Sequence, residues 1–421
     1  MARLFKNGSI AKAGTPAPER VDVFVGDSGK IERVAPEIDA GEGVEVTDCS
    51  GCVLVPGMFD LHVHAREPGE EDKETIVTCG EAALHGGVTG VVLMPDTSPA
   101  IDSGNLVKSV HDLVAEAGLI PMLQAGCLTK GRGGEELAGF SGMVSRGVPM
   151  LTDSDRPVPS ADLLRRCMEY ARDFDVLVTS FCDTPSLTKC GVINEGQTSY
   201  QLGLPGAPAI SQEIAIDRDL SLARYTKARL HIQQVSTKHG IDAIAVAKAE
   251  GVNVTCEVSP HHLLLTDVDI GDYNTAMKLN PPLRASEDCE ALVEGLRNGT
   301  IDAIASDHAP HTQFEKSADF ASAPFGATGL ETAVLALYDR FIRSGDFGWD
   351  VLVQCYSNAP RKIVGLEPVS IAEGEKADFF VFDPSAGTTI TAEYLTTKSP
   401  VTPFLGKTFS GAIKETVFSV G

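Results

Sequence analysis

Apolar, β-rich runs alternate with amphipathic helical stretches along most of the chain. The runs span 53–64, 89–97, 121–129, 147–155, 175–183, 228–236, 253–264 and 302–311, eight in all. Between them, apolar residues recurring every three or four positions predict helices over 71–85, 106–117, 160–174, 212–226, 238–250 and 287–297, with Gly or Pro at the joints. Eight strands with intervening helices favour an α/β fold closed as a (β/α)8 TIM-like barrel over an open doubly wound sheet.

The flanks read differently. Residues 1–52 and about 367–421 carry short alternating strands separated by Gly, Pro and Asp turns, clearest at 21–25 (VDVFV) and 377–382 (ADFFVF). Ends of one texture predict a single small β-sandwich domain built from 1–55 and 365–421, beside a barrel over 56–364.

Composition narrows the class. A chain of 421 residues, 43% hydrophobic and 22% charged, can bury a large core with a smaller unit beside it. It has no 18-residue apolar run, and its first residues lack the apolar stretch of a signal peptide, so the expected location is the cytoplasm, away from membranes. A net charge of −23 argues against nucleic acid as a partner, which needs clustered Lys and Arg. Cysteines such as Cys79, Cys127, Cys167 and Cys256 sit in apolar runs and read as reduced core residues. Cys49 and Cys52 form a lone C-x-x-C without a second pair or a nearby His, which argues against a structural zinc or redox role there.

Barrel enzymes work at the carboxyl ends of their strands, so the polar residues ending each run are the ones to weigh. The first run ends in 60–69 (DLHVHAREPG), where alternation puts His62 and His64 on one face. Paired imidazoles at a strand end suit a divalent metal, and Arg66 just beyond suits an anionic substrate. Other strand ends offer Asp96, Asp153, Asp155, Gln234, Asp307, His308 and His311. A lone strand histidine is usually a satisfied core residue, but the pair together with 306–311 (SDHAPH) outweighs that reading. His261 and His262 read as structural, and His85, His111, His231 and His239 as ordinary helix or loop residues. The charge run 70–74 reads as a solvated helix N-terminus suited to the helix dipole, and 184–204 as a surface loop long enough for a lid.

These residues, with 94–99 (MPDTSP), 194–196 (NEG), 202–206 (LGLPG), 255–263 (TCEVSPHHL), 280–284 (NPPLR) and 323–326 (APFG), closely match a known pattern. Over nearly its whole length the chain resembles the dihydroorotases of the bacterial long-chain type, within the amidohydrolase superfamily. The resemblance implies interconversion of dihydroorotate and N-carbamoyl-L-aspartate in pyrimidine synthesis. It implies that His62, His64 and Asp307 hold a zinc ion and that Asp307 shuttles a proton. It also implies that His64, Arg66, position 96, Asn280 and His311 hold the small anionic cyclic amide, with Phe325 and Gly326 presenting backbone groups to it. Homodimers, or assemblies with aspartate carbamoyltransferase, are the partners it implies.

The chain departs from the family at the remaining metal ligands. Ser154, Phe181 and Gln234 stand where the family has a carboxylate and two histidines, so a second metal is not expected. One metal on two imidazoles and a carboxylate remains workable, with Asp153 or Asp155 as a candidate fourth ligand. Asp96 replaces the family's Asn, and an ionised carboxylate near 4 Å from a substrate carboxylate is repelled by roughly a few kcal/mol. Asp96 therefore turns to a cation such as Arg66, is held protonated, or marks a different ligand. Three functions follow: a single-metal dihydroorotase, impaired or not; a catalytically silent relative serving as structural partner of aspartate carbamoyltransferase; and a hydrolase of another cyclic amide or ureide.

Overall fold

Each of the eight expected runs contains a strand in the computed structural model, which describes residues 2–41 and 43–419. They are Met58–Val63, Val88–Leu93, Met122–Gln124, Met150–Leu151, Leu177–Phe181, Leu230–Gln233, Val254–Val258 and Ala303–Ile304. Neighbours pair in parallel, third joins fourth through a Gly126–Leu151 bridge, and eighth returns to first through a Val63–His308 bridge. Parallel strands covered on both faces bury nearly every residue, which is why these runs read as continuously apolar.

The helices Gly104–Ala117, Ala161–Asp173, Ile210–Thr226, Lys238–Ala249 and Ser286–Arg297 fall where the periodicity predicts them. The first helix is shorter than expected. It spans Ile76–His85, capped by Thr75, whose hydroxyl accepts from the Thr78 amide. The run 70–74 precedes that helix, and its last member corrects the solvated reading: Glu74 is fully buried. It meets His308 Nε2 at 3.3 Å and accepts from the Lys398 amide at 3.2 Å. Leu330–Leu337 is a helix with every residue buried, so it carries no amphipathic signal.

The two flanks form one continuous sheet of seven strands. Val53–Pro56 is its seam, pairing in parallel with Ser9 and Ile10 of the N-terminal strand and antiparallel with Phe379–Phe382 of the C-terminal one. Phe5, Ile10, Val23, Leu54, Phe379 and Val381 give this sheet its own core. The run 53–64 thus divides between two sheets at Gly57. A Cβ there would lie 2.0 Å from Asp378 Oδ1 and 2.2 Å from Thr89 Oγ1, so only glycine fits. All ten cysteines are free, and burial pushes the Cys49 thiol up to about 12, which keeps it protonated and inert. Among the described residues no helix is long and apolar enough to cross a membrane.

Candidate metal and substrate site

The first and eighth strands are stitched together directly beneath the paired histidines. Asp60, fully buried, accepts from the His62 amide at 3.0 Å, the Ser306 amide at 2.9 Å and the Tyr356 hydroxyl at 2.7 Å. This brings His62 Nε2 to 3.9 Å and His64 Nε2 to 4.0 Å from Asp307 Oδ1. All three donor atoms lie within 4.8 Å of one another. Zinc bonds of about 2.0–2.2 Å would draw these donors in to within roughly 4 Å of each other, and two imidazoles with a carboxylate are a set that zinc accepts. Asp307 holds φ +53°, a left-handed conformation that Asp and Asn tolerate better than other non-glycine residues.

Each imidazole turns its other nitrogen to a buried carboxylate. His62 Nδ1 is 2.8 Å from Glu257 Oε1, and His64 Nδ1 is 2.8 Å from Asp96 Oδ2. Burial works to lower His62, but the hydrogen bond and charge of Glu257 outweigh it and hold the imidazole up at about 9. Burial works to raise Glu257, and its bonds from His231 and His62 bring it down to about 2. Burial likewise works to raise Asp96, yet His64 and Arg66 hold it well below the usual carboxylate range. Burial pushes His64 down, against the charge and hydrogen bond of Asp96, and Arg66 stands as the fixed cation beside that carboxylate. Asp307 is pushed up to about 7 by burial, against the opposing charge of His62.

Above this cluster lies a cavity of about 290 Å³ whose wall includes His64, Arg66, Asp96, Asn280, Asp307, His311, Phe325 and Gly326. Arg66 donates to Asp96 Oδ2 at 2.9 Å and to the Pro310 carbonyl at 3.1 Å, and its remaining terminal nitrogen is 3.3 Å from His311 Nε2. Of the options open for Asp96, the structure takes the turn toward Arg66. Gly326 sits at φ +120°, and a Cβ there would lie 2.8 Å from the Ala309 carbonyl. Its N–H is donated to the Lys278 carbonyl at 2.9 Å, so this amide is not among the backbone groups left to face a substrate.

The candidate fourth ligands have other partners. Asp153 accepts from the Leu128 and Thr129 amides at 3.0 Å and from the Thr129 hydroxyl at 2.5 Å, so it holds a loop instead of completing a metal shell. Asp155 lines the cavity but pairs with Arg132. Ser154 is buried with its hydroxyl unpartnered, Phe181 offers no donor atom, and Gln234 directs its amide to Glu257 at 3.2 Å. A hydroxyl, a benzyl group and an amide are poor donors for a divalent ion.

Glu257 and His231 escaped the sequence reading. His231 is a buried strand residue, not a loop one, and its Nε2 lies 3.1 Å from Glu257 Oε2 while Nδ1 lies 2.8 Å from Thr255 Oγ1. The available signal was a lone carboxylate in the apolar strand Val254–Val258. The segment 184–204 is pinned: Asn194 donates to Asp267 at 3.0 Å and accepts from Arg284 at 3.0 Å.

His261 and His262 are buried structural residues. His262 Nδ1 is 2.7 Å from Ser259 Oγ and Nε2 is 3.0 Å from the Pro281 carbonyl, whereas His261 stacks on Phe404. Burial pushes them down to about 3 for His261 and about 4 for His262, from 6.5. In the unfolded chain they take protons near pH 6.5 and in the folded chain they do not. Their contribution to stability is therefore full above pH 6.5 and is lost as pH falls toward 4, by about 2 kcal/mol each at pH 5. Thermal melts at pH 6.5 and 5 should show a shallower drop for His261→Leu than for the parent, and parallel drops would contradict this account.

The sequence matches the family described as dihydro-orotase-like over residues 51–240. It is 42% identical over 417 residues to a dihydroorotase of Pelobacter propionicus, covering 99% of this chain and 98% of that protein. It is 40% identical over 421 residues to one of Carboxydothermus hydrogenoformans, covering 99% and 97%. The fold resembles dihydropyrimidinase of Brevibacillus agri, with a TM-score of 0.83 at 23% identity over 99% of this chain and 93% of that one. It also resembles L-hydantoinase of Arthrobacter aurescens, with a TM-score of 0.84 at 22% identity over 100% and 96%.

Proposed function

The chain belongs to the dihydroorotase family, and on that premise we propose that it works with a single zinc ion on His62, His64 and Asp307. Its reaction is the interconversion of dihydroorotate and N-carbamoyl-L-aspartate in pyrimidine biosynthesis. The observation that carries the single-metal reading is the convergence of His62 Nε2, His64 Nε2 and Asp307 Oδ1 within 4.8 Å, with His64 and Asp307 in the wall of the cavity holding Arg66. In this reading the strand ring is a (β/α)8 barrel over 56–364, with a small β-sandwich domain from 1–55 and 365–421. Cytoplasmic residence and association with a second copy or with aspartate carbamoyltransferase are further elements of it.

A zinc ion held by His62, His64 and Asp307 would supply a Lewis acid for the amide carbonyl and would lower the pKa of a water toward neutral pH. Arg66, Asn280 and His311 hold the substrate carboxylate and ring, with Phe325 and Gly326 closing the wall around it. Asp307 takes a proton from the attacking water and delivers it to the ring nitrogen as the C–N bond breaks; cyclisation runs the same path backwards.

The silent-scaffold alternative has no support among the relatives. One second reading does have an observation behind it: the Asp96–Arg66 pair lowers the positive charge open to an anion, which favours a less acidic cyclic amide or ureide. Metal analysis of the purified chain, with turnover of N-carbamoyl-aspartate and of hydantoin measured before and after added zinc, separates them. One zinc per chain with N-carbamoyl-aspartate cyclised is the expected result. Turnover of hydantoin alone would replace the substrate, and no metal with no turnover would overturn the proposal.

A further inference from the structure

Both metal-facing histidines are held from behind in the same way, by carboxylates on different strands. Glu257 lies on the seventh ring strand, Val254–Val258, and Asp96 follows the second, Val88–Leu93. Each places one oxygen 2.8 Å from an Nδ1. A neutral imidazole that donates Nδ1–H to a carboxylate presents its Nε2 lone pair, and here both Nε2 atoms face Asp307. Neither carboxylate is loose: Glu257 is gripped by His231 Nε2 at 3.1 Å and Gln234 Nε2 at 3.2 Å, and Asp96 by Arg66 at 2.9 Å.

We propose that Glu257 and Asp96 are paired positioning residues that fix the tautomer and orientation of His62 and His64 for the cation, and that Asp96 also tunes affinity for an anionic substrate through Arg66. The proposal rests on His62, His64 and Asp307 being the zinc site. The two carboxylates differ in one respect that makes their roles separable. Asp96 is part of the cavity wall, whereas Glu257 is enclosed behind His62 and reaches no substrate. An incoming carboxylate that seeks Arg66 must share that guanidinium with Asp96, so the charge that steadies His64 is the same charge that opposes the substrate. Replacing it should weaken one ligand and strengthen the other.

The test is a zinc titration of the metal-free full chain in competition with a chromophoric chelator, on the parent, Asp96→Asn and Glu257→Gln, with thermal melts as a check of folding. Loss of an orienting carboxylate should weaken zinc binding about 10- to 100-fold in each variant. With zinc saturating, Asp96→Asn should also lower KM for N-carbamoyl-aspartate several-fold, and Glu257→Gln should leave KM within about twofold of the parent. A general loosening of structure would move zinc affinity and KM in the same unfavourable direction in both variants, which would overturn the proposal. If Glu257→Gln fails to fold, the opposed shifts in Asp96→Asn decide alone. A parent that binds zinc while Asp96→Asn binds it equally well overturns this inference and leaves the proposed function standing. A parent that binds no zinc overturns both.

Discussion

Asp307→Asn should cost at least ~10³-fold in kcat/KM for N-carbamoyl-aspartate, about 4 kcal/mol of transition-state stabilisation, while leaving the fold intact. Asn is nearly isosteric and is among the few residues that tolerate the φ of +53° found here, so the strand end keeps its shape. What it removes is a proton acceptor and the one anionic donor in the His62, His64 and Asp307 cluster. The amide can neither take a proton from water nor return one to the ring nitrogen. Because burial already disfavours the charged form of Asp307, losing that charge should not destabilise the metal-free protein. A coupled assay alongside a thermal melt checks both halves: activity within tenfold of the parent would remove Asp307 from the chemistry, and a collapsed melt would make it structural.

Much of this site was legible because it follows local rules. Alternation alone puts His62 and His64 on one face, and continuous apolar runs locate all eight ring strands. What stayed hidden depends on partners far away in the chain. Glu74 reads as part of a solvated run until His308, 234 residues on, is brought against it. Glu257 reaches His62 across 195 residues, and no local pattern announces that meeting. The amide of Gly326 is taken by Lys278, a claim that residue spacing cannot express. The place of Asp153 at a strand end makes it a candidate fourth metal ligand, yet its carboxylate is taken by the amides of Leu128 and Thr129 and the Thr129 hydroxyl. The seam at Gly57 divides one apolar run between two sheets, and only the approach of Asp378 and Thr89 reveals why.

The largest stability loss should come from Asp60, a residue that touches neither metal nor substrate. Its carboxylate accepts from the His62 amide, the Ser306 amide and the Tyr356 hydroxyl, so one side chain closes the first strand onto the eighth just below His62 and Asp307. Asp60→Ala leaves those three donors buried without an acceptor, at about 3–5 kcal/mol. Asp60→Asn keeps the volume but must turn an NH2 toward at least one of the same donors, and should cost about 1–3 kcal/mol. Tyr356→Phe removes a single donor together with its bond and should cost less than either. Denaturant melts on the metal-free chain should therefore rank Asp60→Ala below Asp60→Asn below Tyr356→Phe, with zinc affinity falling in the same order as the two strand ends drift apart. An Asp60→Ala protein within 1 kcal/mol of the parent would mean that the pairing of Val63 with His308 holds the ring closed without this carboxylate. The preassembly of the three metal-facing side chains would then have to come from the packing around them.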